Sequence, residues 1–176
     1  MDRVVVVDEK DEVLEHRGRK RVHEEGDWHR GIHVLIIDPS GEYLLQKRSE
    51  KKDTFPGRWD YSLSEHVEPG EEYVEAARRG LLEELEIESS DLKKLAKVKM
   101  DYGPQDNMIA KVFVAEDDFY PRKVNENEVA EIGYFSKKDL DSTIRDSPNE
   151  FTRYFLEFYK WYRGWKSDIK IIEDFR

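Results

Sequence analysis

The chain has 176 residues and a formal net charge of −10, with 40% charged and 38% hydrophobic residues. That length supports one sizeable core rather than two. The acidic surplus argues against nucleic acid or an anionic membrane surface as the main partner. Cysteine is absent, which excludes disulfides, thiolate zinc sites and a cysteine nucleophile and fits a cytoplasmic protein. The first residues lack the basic and long apolar regions of a signal peptide, and no apolar run approaches the roughly 20 residues of a membrane span.

In chain order, Val4–Asp8 is a β-branched run that predicts a strand, with a turn at Asp8–Glu12 and a returning partner at Glu12–Arg17. Arg19–Trp28 is polar and reads as a connecting loop. His33–Asp38 and Glu42–Lys47 pair across a Pro39-Ser-Gly41 turn. Ser49–Arg58 is a loop with basic residues, and Trp59–Ser64 a short strand. Glu72–Leu85 is a helix, preceded by Pro69-Gly70 and acidic in its first turn. Leu92–Tyr102 and Asn107–Ala115 form an antiparallel pair around Gly103-Pro104-Gln105-Asp106. Glu131–Phe135 is a further strand, and Ser136 caps a helix through Lys137–Ser142. The spacing of Phe151, Phe155, Phe158, Tyr159 and Tyr162 predicts an amphipathic helix over 150–165 with an aromatic core face. Ile169–Ile172 in the tail can add a strand. The alternation predicts an α/β fold, a mixed sheet with helices on both faces.

The segment from Glu65 to Ile87 holds eight carboxylates in 23 residues: Glu65, Glu68, Glu71, Glu72, Glu75, Glu83, Glu84 and Glu86. Acids crowded onto a loop and the adjoining helix repel one another unless cations neutralise them. Such a cluster suits Mg2+, which takes oxygen ligands and bridges to phosphates; a solvated, salt-bridged helix is the plainer reading.

The order of these residues resembles the Nudix box. Glu71, Arg79, Leu81, Glu83, Glu84 and Ile87 match it, whereas Glu65 and Glu86 stand where the family has Gly, and Gly80 where it has Glu. The hairpin around Trp28–Arg48, the loop Lys51–Asp60 and the stretch Glu126–Leu140 are also similar to the family's core. The nearest branch in appearance contains the type 1 isopentenyl-diphosphate isomerases and their hydrolase relatives. The resemblance implies a single Nudix domain over 1–176: an N-terminal hairpin and loop (1–27), a core (28–142), a C-terminal helix (150–165) and a tail (166–176).

It also implies a chemistry. Family members place three carboxylates on one helix face, where they hold a divalent metal at a diphosphate and help activate water. Here Glu83 and Glu84 are the expected catalytic metal ligands, Glu71 a supporting carboxylate and Arg79 an orienting residue. Gly80 supplies neither ligand nor base, and a helical Gly costs about 1 kcal/mol relative to Ala. Either close packing against a strand or an altered site accounts for it. Glu65 or Glu68 can stand in for the missing acid. Arg48 and Lys52 are candidates for diphosphate contact. His23, His29 and His66 are similar to the three histidines of the isomerases and form a possible second metal site; imidazole suits Zn2+ or Mn2+. The isomerase glutamates fall near Asp106 and Met108 and its cysteine near Ser64, side chains of which Ser64 and Met108 cannot supply the acid–base groups of isomerisation.

The expected activity is hydrolysis of a diphosphate linkage in a nucleoside-diphosphate or related small molecule, with Mg2+ or Mn2+. An isopentenyl-diphosphate isomerase-like protein and a noncatalytic diphosphate-binding domain are the alternatives. Neither the substrate nor the oligomeric state is legible.

Overall fold

In the computed structural model, which describes residues 2–89, 91–103, 105–116 and 120–176, strand β3 (His29–Ile37) is the spine. Strands β1 (Arg3–Val7) and β2 (Val13–Gly18) form the expected N-terminal hairpin, and β1 touches β3 at Val6 and His29. On its other side β3 runs parallel to β8 (Asp106–Glu116), in register from His29↔Met108 to Ile37↔Glu116. β8 pairs with β7 (Lys93–Gly103), and β7 with β10 (Lys170–Asp174), so the main path is β10-β7-β8-β3-β1-β2. Strand β4 (Tyr43–Arg48) branches from β3 and carries β5 (Trp59–Asp60) and β9 (Val129–Phe135). Strand β6 (Leu63–His66) lies antiparallel along the first half of β3. Pro104 of the expected turn lies outside the described residues.

Residues of β3 alternate between two buried faces, which is why it reads as an almost unbroken apolar run. Ile32, Val34 and Ile36 pack with Leu63, Ile109, Phe113 and the helix α2 (Tyr73–Leu85). Leu35 faces Ala110, Val112 and the helix α4 (Arg153–Tyr162), whose Phe155, Phe158 and Tyr159 are wholly buried. Each such aromatic contributes about 1.5–3 kcal/mol of burial, so the aromatic stripe holds the second face. Helix α3 (Lys137–Asp146) closes that side, with Ser136 accepting the Asp139 N–H as expected of its cap.

Three local expectations are corrected. Arg19–Glu25 is a helix, α1, not a loop. Only Val22 of it is buried, so no apolar periodicity announces it; Gly26, in the left-handed region at φ 70°, closes it by donating to the Val22 carbonyl. The single strand expected over Trp59–Ser64 is split into β5 and β6, because the chain changes partner from β4 to β3. Ser62 holds the crossing, donating to the Leu44 carbonyl and accepting from the Ile36 N–H at 2.8 Å. The C-terminal helix starts later than expected: Pro148–Glu150 is a 3-10 turn, and Thr152 caps α4 by accepting the Phe155 N–H at 3.1 Å.

Gly80 is a packing residue. A Cβ there would lie 2.8 Å from Leu63 Cδ2 and 3.5 Å from Glu65 Cβ, so the glycine lets α2 approach β6. This favours the close-packing explanation of Gly80.

Candidate functional site

A cavity of about 260 Å³ opens between α1, the first half of β3, β6, α2 and the start of β8. The β3–β6 register puts Gly31 opposite His66 and His33 opposite Ser64, and the β3–β8 register puts His29 opposite Met108. Gly31 has no room for a side chain, because a Cβ there would meet Met108 Sδ at 2.2 Å.

His23 from α1, His29 from β3 and His66 from β6 converge, with ring centroids 5.0–5.5 Å apart and ligand atoms within 4.8 Å of one another. Asp106, at the start of β8, joins them: its Oδ1 lies 3.6 Å from His23 Nε2 and 3.5 Å from His29 Nε2. All three Nε2 atoms and this Oδ1 are buried without a hydrogen-bond partner. Buried polar atoms are rarely left so. Burial, then the neighbouring His66 charge, pushes His29 down to about 3, and burial also lowers His23. These two rings therefore present lone pairs. His29 Nδ1 lies 3.1 Å from the Asp27 carbonyl, the contact that turns its Nε2 inward as an acceptor. Ligand atoms about 2.1 Å from a tetrahedral ion lie about 3.4 Å apart, close to the two His–Asp separations. The donor set fits a divalent ion.

Hydrogen bonds behind this cluster hold its ligands in place. Tyr154 of α4 donates to Asp106 Oδ2 at 2.7 Å, and Asn107 donates to the Gly26 carbonyl at 2.8 Å, tying β8 to the end of α1. Arg79 donates to the His66 carbonyl at 2.9 Å.

The box residues divide into two groups. Arg79 grips both oxygens of Glu71 at 2.6 and 3.1 Å and reaches Glu83 at 3.4 Å. Glu71 also accepts the Glu68 N–H at 2.9 Å, so both its oxygens are engaged away from the cavity. Both oxygens of Glu71, the expected supporting carboxylate of the metal shell, are thus engaged by Arg79 and the Glu68 N–H. Glu83 is exposed at the rim, whereas Glu84 points inward and is hydrogen-bonded to Glu65. Burial and the Glu65 charge push Glu84 up to about 8. Burial would raise Glu65 as well, but the His66 N–H and ring hold it down to about 2. The two carboxyls are thus pushed apart in their titration, as close carboxyls are. Glu65 lies beside the place of the missing box acid, its Cβ 3.5 Å from where a Cβ of Gly80 would be.

Arg48 and Lys52 both line the cavity. Arg48 donates to the Thr54 carbonyl and hydroxyl at 3.0 and 3.1 Å, bracing its own loop, and lies 3.4 Å from Asp60. Lys52 is paired with Glu128, which reaches in from the residues before β9. Arg19, one turn before His23 on α1, also lines the cavity, and among the described residues its side chain pairs with no acid. Sequence reasoning singled out neither Arg19 nor Glu128. The i to i+4 spacing of Arg19 and His23 would have exposed the first, had α1 been recognised as a helix.

Fold, box and cavity together define a class, and the chain belongs to the Nudix family: the NUDIX domain model matches residues 27–155. An isopentenyl-diphosphate Delta-isomerase of Pectobacterium atrosepticum is 30% identical over 86% of each chain. An uncharacterized Nudix hydrolase of Pseudomonas aeruginosa is 33% identical over 71% of this chain and 73% of its own. A crystal structure of a MutT protein from Methanosarcina mazei superposes with a TM-score of 0.66 at 25% identity, covering 78% of this chain and 94% of that one. The relatives thus carry both an isomerase and a hydrolase name.

Proposed function

We propose that this chain is a divalent-metal-dependent hydrolase that cleaves the diphosphate linkage of a small organic diphosphate. The observation that carries this is the set of four buried, unpartnered ligand atoms on His23, His29, His66 and Asp106, beside a cavity whose lining includes Arg19 and Lys52. Three imidazoles and a carboxylate suit Mn2+ or Zn2+. Glu84 with Glu65, and Glu83 at the rim, offer oxygens that suit Mg2+. A divalent ion supplies charge neutralisation at the diphosphate oxygens and on the leaving group as the P–O bond breaks.

The remaining work falls to the chain. Arg19 and Lys52 hold the anionic end of the substrate, and Arg48 keeps the loop that carries Lys52 in place. Arg79 orients: it locks Glu71 and the His66 carbonyl, fixing a ligand without touching substrate. Tyr154 turns Asp106 toward the histidines.

Isomerisation of isopentenyl diphosphate is the second reading, favoured by the Pectobacterium relative and the histidines. Ser64 and Met108 stand against it. The cavity holds a serine hydroxyl and a thioether where that reaction needs an acid and a base on opposite faces of an alkene.

Product analysis separates the two. Nucleoside diphosphates, sugar nucleotides, small alkyl diphosphates and isopentenyl diphosphate are each incubated with Mg2+, Mn2+, Zn2+ or chelator. Metal-dependent release of phosphate-bearing products, lost in Glu84→Gln and in His66→Ala, supports the hydrolase. Dimethylallyl diphosphate without phosphate release would replace it with the isomerase.

A further inference from the structure

Beyond the histidine–aspartate cluster, the cavity contains one more buried polar atom that nothing described so far uses: Nε2 of His33. The residue is 2% exposed, and that nitrogen has no hydrogen-bond partner. The ring is held on both sides. Its plane stacks on Tyr61 with centroids 4.2 Å apart and an interplanar angle of 16°, and its Nδ1 lies 2.9 Å from Ser64 Oγ.

The surrounding bonds fix the direction of that free nitrogen. Ser64 donates to Asp60 Oδ2 at 3.4 Å, and the other Asp60 oxygen already accepts from the Tyr61 N–H and the Thr152 hydroxyl. Asp60 also lies 3.4 Å from Arg48. With the single Ser64 proton given to Asp60, as that bond has it, Ser64 Oγ accepts from His33 Nδ1. Nε2 is left with a bare lone pair. Burial holds the ring down to about 4, so it is neutral at neutral pH and acts as an acceptor.

A buried acceptor without a partner costs about 1–3 kcal/mol. Phosphate oxygens cannot satisfy it, because they also present lone pairs at neutral pH. A prenyl chain cannot satisfy it either. A hydroxyl can. Thr54, Ser64, Asp60 and Tyr154 make the rest of this wall polar too. The volume of about 260 Å³ falls below the roughly 300–1,000 Å³ of sites that enclose drug-sized ligands, which leaves room for a diphosphate on a short chain or a single ring.

We propose that His33 Nε2 accepts a hydrogen bond from a hydroxyl on the group esterified to the diphosphate, so that the cavity selects small hydroxylated diphosphates over prenyl diphosphates. The proposal rests on the reading of this cavity as a diphosphate site.

Calorimetry on the metal-loaded chain tests it, with uncleavable pentyl esters of methylenebisphosphonic acid that carry no hydroxyl or one hydroxyl at C2, C3 or C4. At least one hydroxylated ester should bind about tenfold or more tighter than the plain ester, since a site built to bond a hydroxyl rejects the analogue that lacks it. His33→Phe, which keeps the stack on Tyr61, should bind every ester like the plain one. Equal binding of all esters by the unaltered chain overturns the His33 proposal and leaves the diphosphate reading standing, with a water as the partner of Nε2. Binding of no ester removes the diphosphate reading and this proposal with it. The ester series on the unaltered chain carries the test by itself if the variant does not fold.

Discussion

The two ends of the cavity hold polar side chains in opposite states. At the histidine end, four buried ligand atoms from three strands and a helix lie close together without a hydrogen-bond partner from the protein. At the box end, the carboxylates are already satisfied: Glu71 by Arg79, Glu84 by Glu65, Glu128 by Lys52. Both ends look alike in the sequence as clusters of ligand-type residues. Only the folded geometry separates ligand atoms without a protein partner from carboxylates that already have one. On the proposed function, the asymmetry predicts tighter metal affinity at the histidines and a weaker, substrate-assisted one at the acids.

The largest effect that can break this comparison is loss of a histidine ligand. His29→Ala or His66→Ala should lower Mn2+ or Zn2+ affinity by more than the roughly 10–100-fold that second-shell partners are worth. Glu84→Gln should leave that affinity within a few-fold while abolishing diphosphate cleavage. Equal losses in both variants, read by calorimetric metal titration, would merge the two ends into one site.

Tyr154→Phe sharpens the histidine end. It keeps the ring and removes the 2.7 Å bond to Asp106, so metal affinity should fall about 10–100-fold. The metal-free chain should melt within a few degrees of the unaltered one.

Gly80 tests the box end. Gly80→Glu should not rescue activity, and overpacking against Leu63 should destabilise the fold by about 1–3 kcal/mol in denaturant titration. A gain in turnover with an intact fold would return Gly80 to the chemistry as a lost carboxylate.

A further effect is a pH slope from His33. Its imidazole titrates near 6.5 when unfolded and at about 4 in the fold. Between those values the unfolded chain binds more protons, so stability falls as pH drops from 6.5 toward 4, by up to about 1.4 kcal/mol per unit. His33→Phe should flatten the metal-free stability profile by one proton over that window and leave it unchanged above pH 7.

The parts of this account that were legible in the sequence share a property: their signal is local. The box helix, the N-terminal hairpin, the Ser136 cap and the strands β3, β4, β7 and β8 announce themselves by periodicity or turn chemistry within a few residues. Helix α1 does not, because one buried valine carries its packing and the rest of its seven residues face solvent or the cavity. The site was legible to the same degree. His29 and His66 could be named from their surroundings, and His23 only by allowing one deletion in the loop between. The contribution of Asp106 depends on β8 running parallel to β3, and the pairing of Glu65 with Glu84 depends on α2 closing onto β6 over Gly80. Both are long-range consequences of strand order, which no window of sequence contains. The same holds for the Ser64–His33 contact, set by the β3–β6 register.

The most direct test of the account is a metal titration of the chelator-treated chain with Zn2+ and with Mn2+, beside His29→Gln. The account predicts one tight equivalent per chain, lost in the variant while its fold is retained. No tight binding, or binding that the substitution leaves untouched, would contradict it.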